Sequence, residues 1–197
     1  MTQLRCTQSV QKMLGLGTGA LAEVDESAPL LGDWYVNLTT IDRRKCFIFM
    51  NEKTLLSFIV FGVKKNNTKH FIDIFQLGLV QTLALIDVPK ELTIRIIEGI
   101  EPIECTKTAS RVLLGNLNDI VQRYHWYIMY DGGFGSCNLN DIIHKVNTAP
   151  ERNLGWDNAI EAFEKAVGLV PVNPQDGWQP SLHRPDKFTI REHKHHE

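Results

Sequence analysis

The chain has 197 residues, of which 43% are hydrophobic and 22% charged, with a net charge of −2. A chain of this length can bury about 70% of its surface on folding, so it needs no disulfide or metal staple, and the composition excludes global disorder. No apolar run reaches the roughly 18 residues of a membrane span. The opening Met1-Thr2-Gln3-Leu4-Arg5-Cys6 lacks the basic region and apolar run of a secretory signal, and a soluble cytoplasmic domain of bacterial type is the expectation.

Residues 4–6 read as a short extended segment, after which Thr7 can cap a helix over 8–14 with Val10, Met13 and Leu14 on its apolar side. Gly15, Gly17 and Gly19 end that helix and open a loop to about residue 31. Trp34, Leu38 and Ile41 fall at helical spacing, which predicts a short helix over 33–41. Next comes a hairpin, with strands over 45–50 and 54–63 and a turn at Asn51-Glu52-Lys53. Residues 69–86 are apolar at nearly every helical angle, as in a central or interfacial helix. Pro89 suits the first turn of a helix over 89–98, although the β-branched run there also tolerates a strand.

Residues 102–107 read as extended. From Ser110, the residues Leu113, Leu117, Ile120, Val121, Tyr124 and Ile128 keep the spacing of an amphipathic helix over 110–128. Asn138 and Asp157 are candidate caps for two further helices, and Glu161 and Lys165 form a surface pair on the last. Four prolines and few apolar residues follow, so residues 171–197 read as a weakly packed tail on a single domain over 1–170. Strands and helices mix without regular alternation. The fold class is therefore α+β: a small antiparallel sheet with a central β-hairpin, packed against several helices.

Cys6, Cys46, Cys105 and Cys137 show no CxxC or zinc-ligand spacing, which fits a reducing compartment. If the first three lie on strands, their thiols can approach one another across a sheet; as small hydrophobes they equally suit a packed sheet face.

Several separated motifs resemble a bacterial family of domains of unknown function. They are Leu4-Arg5-Cys6-Thr7, Leu31-Gly32-Asp33-Trp34-Tyr35, Arg43-Arg44-Lys45-Cys46, Asn51-Glu52-Lys53-Thr54-Leu55, the run from Arg111 to Asp119, and Val146-Asn147-Thr148-Ala149-Pro150. The resemblance spans roughly residues 3–168. It implies one domain and transfers no mechanism.

Gly15-x-Gly17-x-x-Ala20 matches a dinucleotide fingerprint as a string. That chemistry needs a strand before the glycines, whereas here a helical pattern precedes them and Glu23, Asp25 and Glu26 follow. No cofactor is implied. The lone histidines His70, His125 and His144, and the tail histidines His193, His195 and His196, supply no specific metal site.

Charge distribution is more informative. Residues 43–69 hold seven Lys and Arg against Glu52 alone. In the expected hairpin, Arg43, Arg44 and Lys45 converge with Lys64 and Lys65 at the open end, where they can hold a phosphate or nucleic acid. The competing expectation is pairing with Glu98, Glu101 and Glu104, or a charged end that keeps a sheet edge from aggregating. On the long helix, Arg111, Gly115, Asn118 and Gln122 share a polar sector with Asp119 beside it. Gly115 there suggests close approach by a backbone or ligand. The sequence thus favours a non-enzymatic binding or regulatory module that meets nucleic acid or another polyanion through the basic hairpin. Two alternatives stand beside it. One is an enzyme acting on a phosphate-bearing or nucleic-acid substrate, with Arg111, Asn118 and Asp119 at the site and Glu52 or Asp33 as acid/base groups. The other is a self-associating structural protein, a homo-oligomer built on residues 69–86, or a module with a protein partner.

Overall fold

A computed structural model describes residues 1–25, 31–64 and 70–169; Lys65 and the expected tail over 171–197 lie outside them. The strands are β1 (Thr2–Cys6), β2 (Trp34–Ile41), β3 (Arg44–Asn51), β4 (Ser57–Phe61) and β5 (Ile103–Lys107). The helices are α1 (Gln8–Leu14), α2 (Phe71–Leu85), α3 (Lys90–Gly99), α4 (Arg111–Tyr130), α5 (Leu139–Asn147) and α6 (Ala159–Ala166).

The five strands form one sheet in the order β4-β3-β2-β1-β5. The class is α+β as expected, but the sheet is mixed rather than antiparallel. β2, β3 and β4 pair antiparallel, whereas β1 is parallel to both β2 and β5. The reason is connection length. The short turns between β2, β3 and β4 reverse the chain directly, while β1 reaches β2 only through α1 and a long loop that carries the chain back to its starting edge.

Helices cover both faces. On one, Leu4, Trp34, Phe47, Phe49 and Phe58 pack with Val10 of α1, Phe75 and Leu79 of α2, and Ile96 of α3. On the other, Tyr35, Ile41, Ile48 and Met50 pack with Leu117 and Tyr124 of α4 and Ile142 and Val146 of α5. This double burial overturns the expected helix over 33–41, which is strand β2. A strand apolar on both faces loses its alternation, and the spacing of Trp34, Leu38 and Ile41 then imitates a helix.

Other elements depart from expectation in detail. The β3–β4 connection is longer than a three-residue turn, because the Asn51 side chain accepts from Lys53 N, Thr54 N and Thr54 Oγ1 and holds residues 51–56 as a compact loop. Residues 90–99 are helical. Asn158, not Asp157, caps α6 in a reciprocal capping box with Glu161. Asp157 instead takes Lys165 at 2.6 Å, the cation expected to pair with Glu161. Cys6 and Cys105 share one face of the sheet while Cys46 points to the other, so two thiols meet and the third does not.

Helix α2 turns Phe71, Phe75, Leu79 and Leu83 inward and leaves Ile72, Leu77 and Val80 exposed. It comes close enough to the sheet at Gly78 that a Cβ there would collide with the Phe58 ring.

Candidate functional site

The basic end begins at the two-residue turn joining β2 to β3. Asp42 and Arg43 occupy it with φ of 45° and 61°, while Ile41 and Arg44 pair across it. This is the left-handed backbone that two-residue hairpins need for strand twist. The Asp42 carboxylate accepts a hydrogen bond from Phe134 N at 3.0 Å, tying the loop after α4 to the turn. Phe134 stacks on Phe61 with centroids 4.5 Å apart, and the Arg44 guanidinium lies 5.5 and 5.7 Å from the two rings. A cation held against two aromatic faces is fixed in position while remaining exposed.

Lys45 follows Arg44 along β3 and therefore projects from the opposite face of the sheet. The Lys45 carbonyl accepts from Val63 N at 3.1 Å, which places Lys64 alongside it. Arg43, Arg44, Lys45 and Lys64 are all exposed. They take part in none of the ion pairs formed among the described residues. Glu101 accepts from Gln76, and Glu104 lies on β5 at the far edge of the sheet from β4, so neither supplies the expected internal pairing.

The polar sector of α4 does not form a cleft. Arg111, Asn118, Asp119 and Gln122 are exposed, and a Cβ at Gly115 would meet nothing within 4 Å. The close approach expected there is absent. Gly115→Ala should accordingly stabilise the protein by roughly 1 kcal/mol, the helix-propensity difference at an exposed interior position. Urea unfolding tests this, and a loss of stability would show a neighbour that the geometry does not. Gly15 closes α1 in the left-handed conformation, so the fingerprint-like glycines follow a helix and present no strand-to-helix phosphate turn.

Arg5 and Asp33 form a constellation the charge count does not reveal. They are 4% and 1% exposed and face each other between β1 and the entry to β2. Asp33 Oδ2 accepts from Arg5 Nε at 2.9 Å and Nη2 at 2.6 Å, and Oδ1 accepts from Gln3 N at 2.8 Å. Arg5 Nη2 also donates to the Asp25 carbonyl at 2.7 Å. Glu52 Oε1 accepts from Asp33 N at 2.9 Å. Gly32, at φ 72°, makes room for that contact, since a Cβ there would lie 2.6 Å from the same oxygen. With both its oxygens already accepting hydrogen bonds, Asp33 is poorly placed as a proton acceptor, and Arg111, Asn118 and Asp119 do not line the adjoining cavity. The grouping proposed for an enzyme is therefore not assembled. The one local signal for the ion pair is a charged residue within a short strand, flanked by the apolar Leu4 and Cys6.

The polar residues of the separated motifs divide: Arg5, Asp33, Asn51, Thr54 and Asn147 are buried, whereas Arg43, Arg44, Lys45, Arg111, Asn118 and Asp119 are exposed. The family model of the domain of unknown function DUF6933 matches residues 3–162. The chain belongs to that family. No curated protein and no solved structure matches it.

Two more buried polar groupings complete the DUF6933 domain. Asn147 on α5 grips β4, accepting from Ser57 N at 2.7 Å and donating to the Ser57 carbonyl at 2.8 Å. Tyr124 donates to the same carbonyl at 3.1 Å. Burial raises the Tyr124 pKa against the opposing effect of its hydrogen bonds to Ser57 and Asn147. On the other face, the Cys6 thiol donates to Cys105, which raises the Cys6 pKa and lowers that of Cys105. Burial pushes the Cys46 thiol up to about 11, so it stays protonated at neutral pH. Among the described residues, no group of three or more His, Cys, Asp or Glu side chains is placed to hold a metal, and no helix is long and apolar enough to cross a membrane.

Proposed function

We propose that this DUF6933 domain is a binding module that meets an anionic partner, nucleic acid or another polyanion, through the end of the sheet carrying Arg43, Arg44, Lys45 and Lys64. The supporting observation is that these four exposed cations join none of the ion pairs among the described residues, while the Phe61–Phe134 stack holds Arg44 in place. Like charges gathered outside any of these ion pairs, beside a single Asp42 carboxylate that is engaged by Phe134 N, repel one another, and a bound polyanion relieves that repulsion while releasing its own counterions. We place the protein in the cytoplasm, a reading supported by its four free cysteines.

The test is the double variant Lys45→Gln/Lys64→Gln. Its melting temperature should match the parent's, because exposed unpaired charges contribute little to stability. Its affinity for a single-stranded oligonucleotide or heparin should fall. The slope of log K against log salt should flatten by roughly 1.4–1.8, the loss of two phosphate contacts. A parent protein that binds neither polyanion in a salt-dependent way overturns the proposal.

A further inference from the structure

At the other end of β2 from the basic turn, a cavity of about 210 Å³ opens beside Arg5, bordered by Asp33, Tyr35, Glu52, Ser110 and Leu113. We propose that this cavity binds a small neutral molecule presenting a carbonyl oxygen beside an N–H, the edge of an amide or a single-ring lactam. The inference is independent of the polyanion reading and concerns a different surface.

Arg5 Nη1 is buried and has no hydrogen-bond partner among the described residues, although Nε and Nη2 are both engaged. Buried donors in native proteins are almost always satisfied, and those on charged groups most of all. Thr2 Oγ1 and Trp34 Nε1 share this condition, but Arg5 is the one that lines this cavity. Tyr35 supplies a second donor. Its hydroxyl oxygen accepts from Ser110 N at 3.1 Å, which leaves the hydroxyl proton to be donated elsewhere. Glu52 supplies an acceptor, since one oxygen holds Asp33 N and the other makes no hydrogen bond among the described residues.

Charge then selects the ligand. Asp33 already neutralises Arg5, and the Glu52 carboxylate adds a further negative charge. An oxyanion entering the cavity meets that carboxylate, whereas a neutral carbonyl satisfies Arg5 Nη1 and Tyr35 without repulsion. An adjacent N–H satisfies Glu52. The first turn of α4 adds the positive end of its dipole on the carbonyl side, and Leu113 offers an apolar surface to a ring. Size agrees: an apolar cavity of about 150 Å³ takes benzene, so this one admits a single ring.

The experiment titrates the full chain with 2-pyridone, uracil, N-methyl-2-pyridone and benzoate, following amide chemical shifts. The first two should bind and shift the resonances of residues 33–35, 52 and 110–113. N-methyl-2-pyridone, which lacks the N–H, should bind at least tenfold more weakly, and benzoate more weakly still. Glu52→Gln should weaken 2-pyridone binding at least tenfold. Leu113→Phe, which fills the cavity without touching its polar groups, should abolish it. The double variant Lys45→Gln/Lys64→Gln should bind the lactams as the parent does, which separates this site from the basic end. Melting curves confirm that each variant is folded. No shift with either lactam, equal binding of the N-methyl compound, or preference for benzoate overturns the proposal.

Discussion

Replacing Asp33 with alanine should cost about 3–5 kcal/mol of folding stability, the loss expected when one partner of a buried ion pair is removed and the other charge is stranded. Arg5 cannot escape to solvent, because it is 4% exposed and anchored in the sheet between β2 and β5. The same change orphans Gln3 N, which Asp33 Oδ1 now accepts at 2.8 Å. Against a typical total of about 5–15 kcal/mol, the loss threatens the fold itself. Urea unfolding at neutral pH measures it. A second variant separates the pair's worth from the penalty of breaking it. With Arg5→Met added to Asp33→Leu, no charge is left buried, and much of the lost stability should return. A loss below about 1 kcal/mol for Asp33→Ala would mean that the guanidinium finds water or another partner.

Phe75→Ala should cost about 3–5 kcal/mol by removing a large buried ring and leaving a cavity. Phe75 is fully buried where α2 crosses the sheet, with its ring centroid 5.3 Å from Trp34, 5.4 Å from Phe49 and 6.1 Å from Phe58. The surrounding aromatic rings are rigid and sit on different strands, so collapse into the void is limited. On the same helix, Leu77 is 60% exposed, and Leu77→Ala should stay within about 0.5 kcal/mol of the parent. Equal losses from the two would mean that the buried face of α2 is wrongly assigned. Periodicity alone does not supply this distinction, because both residues lie in a run apolar at almost every angle.

The candidate sites show the same division between local and distant signals. The basic end was legible because its residues are close in the chain: Arg43 to Lys45 opens the hairpin and Lys64 follows its return strand. Their opposite projections from the sheet, and the fixing of Arg44 by Phe61 and Phe134, were not legible, since Phe134 arrives from the loop after α4. The Arg5 cavity was hidden for a stronger reason. Its polar atoms come from β1, the entry to β2, the end of β3 and the start of α4, and neither their charges nor their spacing mark them as neighbours.

By itself, the sequence determined the elements whose signal is carried within one stretch of chain. Leu117, Ile120, Val121, Tyr124 and Ile128 recur on one side of α4 and are buried there. Ser110 and Asn138 cap α4 and α5 through their own side chains, and the β-branched and aromatic residues of β3 and β4 pair across a short loop. Only the tertiary structure decided that 34–41 is a strand, that β1 runs parallel to both its neighbours, and that Arg5 meets Asp33. The last two rest on pairing between segments about thirty to a hundred residues apart, and the first on the burial of β2 on both faces, although its longest ladder is with the adjacent β3. A segment buried on both faces carries no periodicity to announce its partners, and a buried charge is tolerated only where the folded chain supplies its counter-charge.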